Sequence, residues 1–235
     1  MKNPAAGGGR WVDVPPERLV SWIVTFTRRH GAGSASRDEA GATVTFTAAD
    51  GAAAECHPPF PPLRWAGLPD DPAAAAEAIV AHAVADRAVG VLLVRLGGYA
   101  VGVFTGSPPR LVSSKTGSRP VHGRSAAGGW SQHRFARRRE NQAATAVRAA
   151  ADAAAGVFGP YQLDELVLGG DKRSVAGIRG DTRLAPYLSR ATDRFLTVPD
   201  PRLAVLKEIP RSFLAIRIRL TEPEPDGSGG AEHVH

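Results

Sequence analysis

The chain has 235 residues, of which 43% are hydrophobic, and it carries 29 Lys and Arg against 23 Asp and Glu for a formal charge of +6. No segment approaches the ~18 apolar residues of a membrane-spanning helix, and residues 1–9 lack the apolar run of a signal peptide. Cys56 is the only cysteine, which excludes a disulfide within the chain, and no His/Cys spacing is typical of a metal site. We therefore expect a cytoplasmic protein with no membrane contact, no metal and no other cofactor.

The positive charge is unevenly distributed along the chain. Residues 221–235 contain four acidic residues and no Lys or Arg, which leaves 29 basic against 19 acidic residues in 1–220. Arginine supplies 25 of the basic residues, and its planar guanidinium group matches phosphate oxygens. Two interpretations stay open at this point: a phosphate-bearing partner, or the codon bias of a GC-rich genome. The acidic tail, 221–235, is predicted to be disordered because it is poor in apolar residues.

The first part of the sequence predicts a small N-terminal α/β subdomain over residues 11–62, preceded by a flexible, Gly- and Ala-rich start at 1–10. A helix is expected from Pro15 to about His30, and two short strands follow around the Asp50-Gly51 turn. Apolar residues recur at helical spacing in the helix, namely Leu19, Ile23 and Phe26. Six prolines then lie within residues 58–72 and predict either a boundary between subdomains or a rigid crossover.

The remainder predicts a larger domain over residues 73–220. An Ala-rich helix is followed by three closely spaced strands and then by a long helix from about Ser131 to Gly156. The predicted strands are 89–96, 99–105 and 111–116, with later strands at 165–168, 195–198 and 213–220 and a helical stretch at 171–189. This order predicts an α/β (α+β) fold, in which a mixed sheet containing a three-strand meander is packed by helices.

The segment from 110 to 139 concentrates the basic residues. It contains eight Lys and Arg residues and no acidic residue, although such a run is also typical of a solvated surface. Arg134 and Arg137–Arg139 stand in the first turns of the predicted long helix, where cations oppose the helix dipole. The preceding loop, 118–131, holds three glycines, follows directly on Gly117, and has little that could be buried. An anionic partner such as an RNA backbone would relieve this conflict.

The motifs in this segment resemble those of a known family. His122-Gly123-Arg124, Gly128-Gly129, Gln132 and Arg134-Phe135-Ala136-Arg137 follow one another in order. They resemble the loop and helix start in the central domain of eukaryotic and archaeal peptide-chain release factors, where a His-Gly-Arg-Gly-Gly-Gln loop precedes an Arg-Phe-x-Arg helix. The wider Gly-x-x-Gln spacing from Gly129 to Gln132 is similar to the Vms-like branch of that superfamily, and a bacterial branch of the group is the best match.

The resemblance implies the release-factor central-domain (RNase H-like) architecture over residues 73–220. It also implies a peptidyl-tRNA hydrolase that cleaves the ester between nascent peptide and tRNA on stalled ribosomal large subunits, as a monomer. In this interpretation Gln132 orients the attacking water, and Gly128 and Gly129 give the loop its reach. Peptidyl-tRNA and ribosomal RNA would be bound by the surrounding side chains, namely Lys115, Arg119, His122, Arg124, Trp130, His133, Arg134, Arg137 and Arg138.

Several alternatives stay open at the sequence level. Trp130 directly follows Gly-Gly, where the release factors carry glutamine, and could stack on a nucleobase in a non-catalytic RNA-binding module. His122 or His133 could serve as acid and base in an endonuclease that cuts the tRNA 3′ (CCA) end.

Weaker candidates lie outside the loop. Cys56-His57 is expected to contribute to packing. Gly169–Lys172 is expected to form a strand-to-helix turn rather than a phosphate loop. Four carboxylates are expected to be surface groups rather than a two-metal nuclease site. Those carboxylates belong to Asp164, Glu165, Asp171 and Asp181.

Overall fold

The computed structural model describes residues 3–4, 8–63, 67, 69–95, 97–118 and 131–223, with side chains left undescribed at 3–4 and 131–143. The chain divides into two compact units: unit 1 comprises residues 1–84 and 214–235, and unit 2 comprises residues 85–213. No helix among the described residues is both long enough and apolar enough to cross a membrane.

The strands of the described chain are β1 (Asn3–Pro4), β2 (Arg10–Val14), β3 (Ser34–Arg37), β4 (Val44–Thr47), β5 (Ala53–His57), β6 (Val89–Arg95), β7 (Gly98–Thr105), β8 (Arg110–Ser118), β9 (Glu165–Gly170), β10 (Ala191–Leu196) and β11 (Ile216–Thr221). The helices are α1 (Pro16–His30), α2 (Pro72–Ala83), α3 (Ser131–Phe158), α4 (Lys172–Ile178), α5 (Ala185–Leu188) and α6 (Leu203–Phe213), with a short 3-10 turn at Thr182–Leu184.

Unit 1 is built on an antiparallel six-stranded sheet in the order β1-β2-β11-β5-β4-β3. Alternate residues of its central strands, such as Val44, Cys56 and Ile218, are fully buried against α1 and α2. Helix α1 presents Leu19 and Ile23 to that core, as their spacing predicts. The apolar residues of the central strands therefore line one face of the sheet, and the alternating polar residues lie on the other.

Unit 2 contains a mixed five-stranded sheet in the order β10-β9-β6-β7-β8. Strands β6, β7 and β8 form an antiparallel meander, whereas β9 runs parallel to β6 and β10 runs parallel to β9. Strand β6 is buried on both faces of the sheet, in agreement with its continuous apolar sequence.

The two faces of the unit 2 sheet are covered by different helices. Val101 and Val103 of β7 join the core cluster that includes Ala150 and Ala154 of α3. On the opposite face, a Cβ added to Gly102 would lie 2.9 Å from the Cδ2 atom of Leu206 in α6. Helices α3 and α6 therefore lie on opposite sides of the sheet.

The predicted mixed α/β fold with its three-strand meander is confirmed, as is a long helix beginning at Ser131. The division into units differs from the predicted domain limits of 11–62 and 73–220. Helix α2 packs in the core of unit 1, and β11 pairs with β2 and β5 there. The predicted flexible start and disordered tail lie largely outside the described residues.

Candidate functional site

Strand β8 and helix α3 carry the two described flanks of the basic, glycine-rich segment. Strand β8 is the edge of the described unit 2 sheet, and Lys115 lies directly opposite Val101 on β7. Residues opposite each other in an antiparallel pair share a face of the sheet. Because Val101 packs on the α3 side, Lys115 stands on that side as well, and it is exposed.

Helix α3 begins at Ser131, so Gln132 is its second residue. The first turn of a helix has backbone N–H groups without partners inside the helix. Gln132 therefore lies within the first helical turn, beside these donors, rather than at the centre of a loop. The helix has 28 residues and is about 42 Å long at 1.5 Å per residue.

The C-terminal half of α3 is anchored firmly in unit 2. Ala150 and Ala154 are fully buried, whereas Arg148 and Asp152 are exposed. Arg183 joins this half to the following segment by donating hydrogen bonds to Asp152 at 2.7 Å and to Asp181 at 2.6 Å. These two carboxylates raise the pKa of Arg183, whose side chain remains largely exposed. The base of the helix is thus fixed by packing.

The structure also refines the electrostatics at the start of α3. Arg134 is the fourth residue of the helix, whereas Arg137 and Arg138 stand in its second turn. The dipole effect fades beyond the first turn, so the predicted conflict falls mainly on Arg134. Arg134 and Arg138 are four residues apart, a spacing at which like charges repel.

The remaining predicted residues are only partly described. Residues Arg119, His122, Arg124, Gly128, Gly129 and Trp130 lie outside the described residues. Backbone positions alone are given for Gln132, His133, Arg134, Arg137 and Arg138, all in the first two turns or so of α3. Whether Trp130 or Gln132 takes the place of the family's glutamine therefore stays a matter of prediction.

The weaker sequence candidates have structural roles. Cys56 is fully buried in the core of unit 1, and burial raises the pKa of its thiol, so it is packing rather than a nucleophile. The carboxylate of Asp171 accepts hydrogen bonds from the N–H groups of Arg173 and Ser174. It thereby occupies the start of α4, where a phosphate would otherwise bind.

The other carboxylates also serve local structure. Asp164 accepts a hydrogen bond from the N–H of Ala88 at 2.8 Å, and Asp181 accepts from the N–H of Arg183. Within the described part of the chain, no group of three or more His, Cys, Asp or Glu residues is arranged to hold a metal ion.

One feature was not predicted from the sequence: a groove in unit 2 between α4, α5 and the edge strand β10. It has a volume of about 450 Å³, and Phe195, Lys172 and Arg179 are among the residues that line it. The Nζ atom of Lys172 lies 5.9 Å from the centre of the Phe195 ring. The available signal was a second cluster of cations, because residues 171–195 hold six Lys and Arg against three Asp.

In the sequence, an arginine-rich segment thus connects an edge strand to a long helix in a mixed α/β unit. Residues 87–219 match the family described as "Actinobacteria/chloroflexi VLRF1 release factor". The match spans more than half of the chain, and the chain belongs to this family. The predicted relationship to the Vms-like release factors is therefore confirmed.

Comparison with solved structures finds distant likenesses, among them two archaeal proteins. The crystal structure of the archaeal translation termination factor aRF1 is 14% identical, with a TM-score of 0.39, and the match covers 87% of this chain and 66% of that one. A structure described as an archaeal protein is also 14% identical, with a TM-score of 0.32 and coverage of 84% and 62%. The chain thus spans slightly less than two thirds of each of these proteins. No curated protein matches the chain.

Proposed function

We propose that this protein is a peptidyl-tRNA hydrolase that releases nascent peptides from stalled ribosomal large subunits. The observation that carries the proposal is the start of α3 at Ser131, which brings Gln132 to the first helical turn in a member of a release-factor family. In the sequence, Gln132 belongs to the acid-free segment from 110 to 139, which contains eight basic residues. Such a surface suits tRNA and ribosomal RNA.

The reaction asks little of the protein beyond positioning. Water adds to the carbonyl carbon of the peptidyl ester, the bond to the tRNA 3′ oxygen breaks, and a proton passes to that departing oxygen. A glutamine amide can accept a hydrogen bond from the water and donate another, although it is not a base at neutral pH. A backbone N–H of the first turn of α3 is suited to stabilise the negative oxygen that develops. Gln132 therefore orients the water in this proposal.

The basic residues hold the RNA in this proposal. Gly128 and Gly129 allow the loop to reach into a narrow site, and Lys115 contributes a cation from the α3 side of β8. The remaining contacts come from the loop and from α3, namely Arg119, His122, Arg124, Trp130, His133, Arg134, Arg137 and Arg138. Their phosphate contacts would offset the repulsion between Arg134 and Arg138.

The direct test is peptide release from peptidyl-tRNA on isolated large subunits. We expect Gln132→Ala to lower the rate by about 100- to 1,000-fold, the range seen when one group that stabilises a transition state is removed. Gln142→Ala is the matched control, because it removes the same side chain from the same helix ten residues further on. Equal rates for the two variants would contradict the assignment of Gln132.

The product distinguishes ester hydrolysis from cleavage of the tRNA. We expect the released tRNA to keep an intact 3′ CCA end that can be charged again with an amino acid. A shortened 3′ end would instead assign an endonuclease. Salt-sensitive binding to large subunits without any turnover would assign a non-catalytic RNA-binding module.

A further inference from the structure

The groove between α4, α5 and β10 has an apolar floor. Leu168 and Val175 are buried at its base, and Leu188 and Phe195 are half-buried along it. Its volume of about 450 Å³ lies within the range of about 300–1,000 Å³ that small-molecule sites occupy. A flat aromatic ligand could therefore be accommodated in it.

Cations stand on the α4 side of the groove. Lys172 and Arg179 are both exposed, and both line it. They are seven residues apart, which is about 10 Å along a helix. Lys172 stands at the first residue of α4 and Arg179 directly after its last, so the two can contact different phosphates.

The acidic residues of this corner are mostly engaged elsewhere. Asp171 caps α4, and Asp181 binds the N–H and guanidinium group of Arg183, so the pKa values of both carboxyl groups are lowered by these hydrogen bonds. Asp193 lines the groove on the β10 side. The α4 side is the one that attracts an anion.

We propose that this groove binds one unpaired nucleotide of an RNA, with its base against Phe195 and its flanking phosphates at Lys172 and Arg179. The aromatic ring supplies a stacking surface that any base can use. The ammonium group of Lys172 is near the outer limit of about 6 Å for a cation–π contact, and its flexible stem allows it to turn to a phosphate. The choice of RNA as partner rests on the proposed function, whereas the geometry of the groove does not depend on it.

Binding of a labelled single-stranded RNA of about eight nucleotides to the full chain tests the proposal. Phe195→Leu keeps an apolar side chain but removes the aromatic ring, and we expect it to weaken binding about 5- to 150-fold, as loss of one base stack does. The double variant Lys172→Gln/Arg179→Gln should reduce the slope of log affinity against log salt by about 1.4, or about 0.7 for each lost phosphate contact.

The matched control is the double variant Lys207→Gln/Arg211→Gln. It removes two exposed cations from α6, on the opposite side of the unit 2 sheet. We expect its affinity and salt slope to stay close to those of the wild-type chain. In addition, RNA carrying 4-thiouridine should crosslink under ultraviolet light to a peptide that contains Phe195.

Wild-type affinity in both groove variants, or crosslinks only to other peptides, would overturn the proposal. If the groove variants lose binding of an acidic peptide but bind RNA as the wild-type chain does, the groove is assigned to a protein partner instead. The Gln132→Ala release assay separates this proposal from the proposed function. If Gln132→Ala loses peptide release and the groove variants bind RNA normally, only the groove proposal is contradicted. If Gln132→Ala keeps peptide release and the groove variants bind RNA more weakly, only the hydrolase proposal is contradicted.

Discussion

Unit 2 carries 20 Lys and Arg against 10 Asp and Glu, whereas unit 1 carries 9 against 13. The two units have similar architectures, since each packs helices on a β-sheet of five or six strands. Their difference in charge therefore does not follow from their folds. Under the proposed function, contact with RNA falls to unit 2. The difference also argues against codon bias as the source of the basic surplus, because such a bias would act on both units.

Two arginines of β11, in unit 1, have partners within the protein. Arg219 donates a hydrogen bond to Glu55 at 2.6 Å, and the guanidinium group of Arg217 lies 4.3 Å from the ring centre of Trp11. These cations already have partners within the protein. Segment 110–139 of unit 2 contains no acidic residue. A cation without a nearby acid is the better phosphate ligand, because no internal ion pair must be broken.

The largest effect should come from neutralising three arginines of α3. We expect the triple variant Arg134→Gln/Arg137→Gln/Arg138→Gln to bind large subunits about 100-fold more weakly near physiological salt. Its salt slope should fall by about 2–3, because each lost phosphate contact removes up to about one unit. Cosedimentation with large subunits over a range of salt concentrations measures both quantities.

The control for this comparison lies on α1 of unit 1. Arg18, Arg28 and Arg29 are exposed, and their replacement by Gln removes the same total charge. We expect this variant to bind within about twofold of the wild-type chain, since its cations make no phosphate contact. Equal losses in the two triple variants would show that total charge, and not its position in unit 2, governs binding.

Local patterns in the sequence predict most elements of the fold but not their pairing. The alternation of Ile216 and Ile218 with Arg217 and Arg219 correctly predicts a strand. However, β11 pairs with β2 and β5, about 200 and 160 residues earlier in the chain. Nothing local to residues 213–220 specifies that partner. The predicted limit at residue 220 therefore differs from the observed limit of unit 2 at Phe213.

Helix α6 was not predicted, although its sequence contains a helical pattern. Leu206, Ile209 and Phe213 recur at helical spacing and are buried. Pro210 lies within the helix and is normally a sign of a helix end, because it lacks an N–H group. Strand β2 was missed for a different reason, because its five residues are too few for a clear alternation.

For the candidate site, the sequence indicates which residue types are present but not which elements of the fold lie around them. The order of Gly128, Gly129 and Gln132 supports the family assignment, because a motif is local. The groove around Phe195 could not be predicted, since its lining comes from β9, α4, α5 and β10, which meet only in the folded unit. The sequence shows the cluster of cations at 172–194, but it does not show that some of them line an apolar groove.

A moderate effect on unit 2 is expected from removing the cap of α4. Asp171 accepts hydrogen bonds from two backbone N–H groups and from the Ser174 hydroxyl. Asp171→Ala should lower the free energy of unfolding by about 1 kcal/mol, the usual value for a lost N-terminal cap. Asp171→Asn should cost less because Asn also caps helices. Equal losses in the two variants, measured by urea denaturation, would show that charge rather than capping matters at α4.

The smallest effect concerns the pH dependence of unit 1. Asp38 accepts hydrogen bonds from the N–H groups of Ala42 and Thr43, and these bonds lower the pKa of its carboxyl group from its ordinary value of 3.8. A carboxyl group whose pKa is lower in the folded state stabilises the protein at pH values above its pKa in the unfolded state. This stabilisation is lost as the pH falls through the pKa of the folded state. Asp38→Asn should therefore reduce the difference in unfolding free energy between pH 5 and pH 3. The control Glu39→Gln removes a neighbouring negative charge and should change that difference less, whereas equal changes would point to net charge and not to the Asp38 hydrogen bonds.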